Sequence, residues 1–214
     1  EVYVPGRVKA RNESVYYNID KLHSAIATGK SVTFRYFEYN VRKEKVFRRE
    51  GRRYQVSPYG LIWDNENYYL AGFDHLHREM RHYRVDKMAE LAVTCLPRLG
   101  DESCLDFDLS TYAQKHFGMF RGREAQVTLR CRNQLVGVVL DRFGQDVILV
   151  PDGDDHFTVT VRAVVSPQFL GWLFGLGSGA ELLSPDWAVD AFRDQLHSLE
   201  YALPPLRPAE AMGR

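Results

Sequence analysis

Between residues 31 and 96 the chain repeats one pattern, short runs of β-branched and aromatic residues broken by turn residues. SVTFRYFEY (31–39), RRYQVSPYGLIW, NYYLAGFD, REMRHYRVD and AELAVTCL follow one another too closely for helices to intervene. In the first run Val32, Phe34 and Tyr36 alternate with Thr33, Arg35 and Phe37, the two-residue period of a strand. Five short strands expose edges unless the sheet closes, so the pattern predicts a small barrel. Residues 20–29, DKLHSAIATG, predict a helix before it: Asp20 can cap the start, Leu22, Ala25 and Ile26 share a face, and Gly29 ends it. That helix is expected to cover one open end of the barrel. Asp64-Asn65-Glu66-Asn67 predicts a tight turn, which places Tyr68-Tyr69-Leu70 at the start of a strand.

The later half reads differently. DLSTYAQKHFG predicts a connector helix ended by Gly118, and beyond it come strand, helix, two strands joined by an Asp/Gly turn, helix, short strand and helix. This βαββαβ order, with one added helix, is the ferredoxin-like pattern. Ser166-Pro167 and Ser184-Pro185 each predict a helix start, with serine as cap and proline in the first turn. The expected division is a linker over 1–19, a barrel domain over 20–97, a connector over 98–122, an extension over 123–203 and a tail over 204–214.

Charge supports two domains. The net formal charge of the 214 residues is zero, yet residues 30–53 carry nine Lys or Arg against three Glu, and beyond residue 130 six Arg face eleven acids with no Lys. The basic stretch favours a polyanion such as nucleic acid; equally, such charges keep an exposed hairpin soluble. Mean hydropathy is −0.35, and no apolar run reaches 18 residues, so no membrane-spanning helix is expected. Cys95, Cys104 and Cys131 are widely spaced, without the C-x-x-C pair of a zinc site or a disulfide framework, and reduced thiols in a cytoplasmic protein are expected.

Catalytic signatures are missing from the sequence: it holds no P-loop, no H-E-x-x-H, no G-x-S-x-G and no strand-led G-x-G-x-x-G. Gly175 to Gly179 follows a helix, the reverse of what phosphate binding at a helix start requires, and reads as a helix end. His75 and His77 sit in an apparent turn, and no Cys stands near them or His82 to complete a zinc site. No enzyme activity, metal or cofactor is expected.

The polar and aromatic constellation is more informative: Tyr36, Ser57-Pro58-Tyr59-Gly60, Tyr68-Tyr69-Leu70 and Arg81-His82-Tyr83-Arg84-Val85-Asp86. VSPYGLIWDNENYYLAGFDHLHREMRHYRVDKM resembles the core of a WYL domain. Tyr68-Tyr69-Leu70 stands at the family's Trp-Tyr-Leu motif, and Arg84-Val85-Asp86-Lys87-Met88 matches its Arg-Leu-Asp-Arg-Ile-like ending. FLGWLFGLGSGAELLSPDWAVDAFRDQL is similar to the C-terminal extension that often follows a WYL domain in bacterial regulators. The resemblance implies an α+β chain: an Sm-like or SH3-type barrel with an N-terminal helix, then the ferredoxin-like α/β extension. It also implies a regulator whose N-terminal winged helix-turn-helix reads duplex DNA. No such pattern precedes Asp20, so the chain is expected to be the sensory half of a longer protein.

An effector pocket that accepts nucleotides or nucleic-acid fragments is likewise implied by the resemblance, with Arg81 and Arg84 the motif-matched anion binders. Their guanidiniums are permanently charged and fork onto phosphate oxygens. Strand alternation sends the two to opposite faces unless a bulge intervenes, and in that case Arg84 is the member retained. Ser57 and Tyr59 have matching parity, and a tyrosine ring there can stack on a base. Tyr36 reads as either core or platform. The ligand-binding candidates are therefore Tyr36, Ser57, Tyr59, Arg81, Tyr83 and Arg84, with Arg48 and Arg49 on a basic hairpin edge as phosphate contacts. Tyr69 and Leu70 read as packing residues.

The first reading is an effector-sensing, dimerising region of a DNA-binding regulator. A second is a homodimerisation module with no ligand; loss of binding in Arg84→Ala separates the two, because only the first has a ligand to lose. A nucleotide hydrolase is a distant third, since no nucleophile with a base supports it.

Overall fold

The structure is a computed structural model that describes residues 14–100, 104, 108–116 and 118–202. It divides into two compact units, Glu1–Ala113 and Gln114–Arg214. Most of the expected linker, residues 1–13, and the tail over 204–214 lie outside the described residues.

The first unit begins with α1 (Ser14–Ala27), followed by β1 (Lys30–Tyr39), β2 (Lys45–Phe47), β3 (Tyr54–Asp64), β4 (Asn67–Asp74), β5 (Glu79–Arg84) and β6 (Met88–Pro97). A short helix, α2 (Leu109–Lys115), crosses the unit boundary. The expected helix at 20–29 thus starts six residues earlier, and Asp20 lies within it rather than capping it. The reason is tertiary. Val15 and Ile19 extend the apolar stripe of Leu22 and Ala25, and buried Asn18 donates its side-chain amide to the Val85 and Met88 carbonyls. Gly29, at φ +61°, ends the helix as expected.

All strand pairs are antiparallel, in the order β2-β1-β3-β4-β5, with β6 also on β1. The sheet holds six strands rather than five, because the basic run contributes β2, paired to β1 as a hairpin edge at Phe37–Phe47 and Tyr39–Lys45. Strands β1 and β5 are separated by two strands along the sheet, yet the Phe34 and Tyr83 rings lie 5.4 Å apart and the Arg84 amide donates to the Tyr36 hydroxyl at 3.1 Å. Such contacts require the sheet to curl into a partial barrel. Register shifts supply the bend: two lie between β1 and β6, and one between Pro58 and Gly60 leaves Tyr59 without a partner on β4. The core on the concave face is Val32, Phe34, Tyr54, Val56, Leu70 and Tyr83, against which Leu22 and Ala25 of α1 pack.

The turn between β3 and β4 is confirmed. Asn65 and Glu66 take φ +44° and +62°, the two left-handed residues of a tight hairpin matched to strand twist. Leu70 is fully buried and Tyr69 nearly so, whereas Tyr68 packs edge-on against the exposed Trp63.

In the second unit, β7 (Arg123–Arg132), α3 (Val136–Phe143), β8 (Leu149–Asp152), β9 (His156–Val165), α4 (Pro167–Gly175), β10 (Ala180–Ser184) and α5 (Asp186–Ala202) follow the expected order. The sheet order β10-β7-β9-β8 puts the first and third strands at its centre, the ferredoxin-like arrangement. Val127, Leu129 and Cys131 of β7 and Phe157, Val159 and Val161 of β9 bury one face under Val139, Phe169 and Leu173 of the helices. The opposite face is polar: Thr128 and Thr160 bond at 3.0 Å, and Arg130 is shared between Asp152 and Glu181. Ser166 caps α4 by accepting from the Phe169 amide. At the second Ser-Pro pair the expectation changes. Ser184 ends β10, and it is the Pro185 carbonyl that accepts from Ala188 and Val189.

Gly72 of β4 leaves no room for a side chain against β3: a Cβ there would lie 2.6 Å from Val56 Cγ1 and 2.8 Å from the Ser57 carbonyl oxygen. Gly72→Ala is therefore expected to destabilise the first unit by about 1–3 kcal/mol, read as a lower urea midpoint at unchanged slope.

Candidate functional site

Strand parity decides which side chains can meet. β4 and β5 pair without interruption from Tyr69–Arg84 to Asp74–Glu79, so no bulge brings Arg81 and Arg84 together, and they leave by opposite faces. Arg81 shares the concave face with Tyr83, opposite Gly72. Arg84 stands opposite Tyr69, where its guanidinium forks onto Asp86 at 2.8 and 3.0 Å and reaches Asn67 at 2.7 Å.

On the concave side, Phe34, Tyr36, Tyr54 and Tyr83 form one aromatic cluster with neighbouring ring centres 5.4–6.2 Å apart. Tyr54 and Tyr83 are buried within it, while Tyr36 is half-buried and presents the part of the cluster that solvent reaches. Tyr36 thus packs with the core and keeps part of its ring at the surface. Its burial pushes the phenol up to about 12, so it stays neutral, with its oxygen accepting the Arg84 amide.

Arginines surround this cluster. The segment Arg48–Gly51 makes a tight turn in which Arg49, Glu50 and Gly51 take φ +52°, +53° and +79°. Left-handed backbone costs a non-glycine residue roughly 1–2 kcal/mol, so tertiary contacts must hold the turn in place. Those contacts are visible: the Arg48 guanidinium lies 5.8 Å above the Tyr36 ring, and that of Arg49 lies 4.0 Å above Tyr54. Arg48 pairs with Glu38, and Arg81 with Glu79.

The anchor beneath the turn is Asp74, whose side chain is 2% exposed. It accepts the Tyr83 hydroxyl and the Leu76 and His77 amides, and it pairs with His77 at 3.1 Å and Arg49 at 3.6 Å. Burial alone would raise its carboxyl, but the hydrogen bonds from Tyr83 and His77 outweigh it and hold the group below the ordinary range. Burial likewise pushes the Tyr83 phenol well up. Sequence reasoning missed Tyr54 and Asp74 and weighed His77 only as a metal ligand. The available signal was an acid ending the apolar strand NYYLAGFD; that Tyr54 falls opposite Phe34 emerges only from the β1–β3 register.

Ser57 and Tyr59 do not join this set. Ser57 alternates with the core residue Val56 and faces the other side of β3, fully buried. There its hydroxyl contacts Ser31 at 3.2 Å and His75 Nε2 at 2.8 Å and accepts the Leu99 amide at 2.7 Å. Tyr59 donates to the Leu99 carbonyl and carries the Arg98 guanidinium 4.5 Å above its ring. Both fasten the chain leaving β6. The three histidines diverge too: His75 joins Ser57, His77 joins Asp74 and His82 bonds Tyr112 at 2.9 Å. Among the described residues no group of three or more His, Cys, Asp or Glu could hold a metal ion.

The arrangement offers an aromatic surface ringed by guanidiniums of unequal freedom. Arg48 and its partner Glu38 are both more than half exposed, and such a pair contributes about 0–1 kcal/mol, so an incoming anion can take Arg48 from it cheaply; the Arg81 side chain, paired with Glu79, is only 15% exposed. Arg49 is held by buried Asp74, and Arg84 by Asp86 and Asn67. Asp74→Asn is accordingly expected to cost about 1–3 kcal/mol at pH 7. With a folded-state pKa below its unfolded one, Asp74 contributes stability above the unfolded value near 4 and loses it as pH falls through the folded value. Urea melts at pH 7 and pH 3 should show the gap between Asp74→Asn and the parent chain narrowing in acid.

Two family models match the chain in order, the WYL domain over residues 17–93 and the WCX domain over 123–199. No curated protein matches. Among solved structures, the chain is similar to the proteasome accessory factor B/C (PafBC) of Arthrobacter aurescens at 18% identity and a TM-score of 0.38, covering 92% of this chain and 29% of that one. It is also similar to a CRISPR Cas-related protein at 16% identity and a TM-score of 0.53, covering 88% of this chain and 52% of that one. The chain thus spans about half or less of either structure, and the second likeness supports the fold alone. The two matched segments coincide with the curled sheet and the ferredoxin-like unit, so the chain carries a WYL domain followed by a WCX domain.

Proposed function

We propose that this chain is the effector-sensing region of a transcriptional regulator, and that it binds a nucleotide or a short single-stranded nucleic-acid fragment at the Tyr36 surface. The pairing of WYL and WCX domains supports a regulatory sensing role. The observation that carries the ligand class is the placement of Arg48 above the exposed part of a four-ring aromatic cluster, with Arg81 on the same face. A base stacks on the aromatic edge, worth about 1–3 kcal/mol, while a phosphate draws Arg48 and Arg81 from Glu38 and Glu79. Tyr83, Arg49 and Asp74 hold the platform rigid, and Arg84 supports it through its amide bond to Tyr36.

Regulation then needs a difference in affinity. Ligand binding changes how two subunits of a homodimer present duplex-DNA-reading domains only if one arrangement binds it more tightly. The alternative, a homodimerisation module, has no ligand.

Fluorescence anisotropy with a labelled single-stranded tetranucleotide at two salt concentrations tests the reading. Arg48→Ala and Arg81→Ala should each weaken binding about tenfold and lower the salt slope by about 0.7. Arg84→Ala should weaken it less than either. Absence of binding at both salt concentrations, with dimers intact, would favour the dimerisation module.

A further inference from the structure

Strand β1 has a second face, and its chemistry is left unused by the Tyr36 surface. Phe37 and Tyr39 alternate with Tyr36 and point the other way, and the β1–β2 register sets them opposite Phe47 and Lys45. Phe37 is fully buried under the Lys45 ammonium, 4.6 Å from its ring centre, and that of Lys87, at 5.8 Å. Lys87 also lies 4.2 Å from the Tyr39 ring, which is 51% exposed. Both ammonium groups approach one ring, so they lie within about 10 Å of each other.

The neighbouring acids are engaged elsewhere. Asp86 pairs with Arg84, Glu38 with Arg48, Glu44 accepts the Asn40 side-chain amide, and Glu90 is shared by Arg35 and Arg53. Lys45 and Lys87 form no ion pair with a carboxylate among the described residues, although Asp86 and Glu38 act on the Lys87 charge from a distance, and Arg42 and Lys43, exposed in the adjoining turn, form none either. Lys87 over the exposed Tyr39 ring, with Lys45 opposite it in register, suits a strand of nucleic acid, whose phosphates meet the ammonium groups while a base stacks on the open side of Tyr39.

Resting on the nucleic-acid reading of the Tyr36 surface, we propose that the outer face of the β1–β2 hairpin, built on Tyr39, Lys45 and Lys87, is a second binding surface for single-stranded nucleic acid. It engages strands longer than the Tyr36 surface can hold. The effector is then a strand of several nucleotides, and length is read at the hairpin.

The test compares fluorescein-labelled dT12 by anisotropy with a thymidine dinucleotide by calorimetry, on the chain and on Lys45→Gln/Lys87→Gln. The double variant should bind dT12 at least tenfold more weakly, with a salt slope lower by about 1.4, and bind the dinucleotide as the parent does. Lys45→Arg/Lys87→Arg should retain dT12 binding, which separates charge from ring coverage, and Tyr39→Leu should weaken it several-fold. Unchanged dT12 affinity and slope in the Gln pair, or no dT12 binding by the parent chain, would overturn the proposal. Binding of dT12 that depends on both lysines, without dinucleotide binding, would support the hairpin surface while removing the Tyr36 site.

Discussion

A carboxylate buried at the end of β4 organises the first unit. Removing Asp74 from water is tolerable only if its oxygens are fully bonded, and three elements supply the donors: the Tyr83 hydroxyl from β5, the Leu76 and His77 amides from the following turn, and Arg49 from the turn after β2. Each donor is thereby fixed. Tyr83 is set into the aromatic cluster, the β4–β5 turn is shaped, and Arg49 is drawn across Tyr54 in a left-handed backbone that would otherwise be unfavourable. Because Arg48 precedes Arg49, the same anchor places its guanidinium over Tyr36.

The two faces of the curled sheet consequently do different work. Its concave face holds the apolar core and, at Tyr36, the exposed aromatic edge. Its convex face is fastened by Ser57, His75 and Tyr59 to the segment leaving β6, and Leu109 of α2 packs against Gly60. β5 belongs to both, with Arg81 and Tyr83 facing inward and His82 bonding Tyr112 of α2. Side chains one residue apart on a single strand therefore touch the proposed ligand surface and the connector.

Strand and helix order was legible for most of the chain, because alternation and helical periodicity are local properties. The Asp64–Asn67 turn, the helix end at Gly29, the cap at Ser166 and the βαββαβ order of the second unit all follow from residues near in sequence. Parity along β5 also anticipated that Arg81 and Arg84 would diverge. The failures share a cause. The start of α1 depends on Asn18 bonding carbonyls about 70 residues away, and β2 is a strand only because β1 lies beside it.

The sequence by itself determined most of the elements and their order, the contrast in charge between its two halves, and the likeness to WYL and WCX domains, since each resides in runs of adjacent residues. Tertiary structure alone decided which arginine faces which tyrosine. That depends on the uninterrupted β4–β5 register, on the bulge at Tyr59 and on the curl that brings β1 against β5. It likewise separated Ser57 from Tyr36 and joined Asp74 to Arg49, because a buried charge takes its partners from whatever the folded chain carries past it.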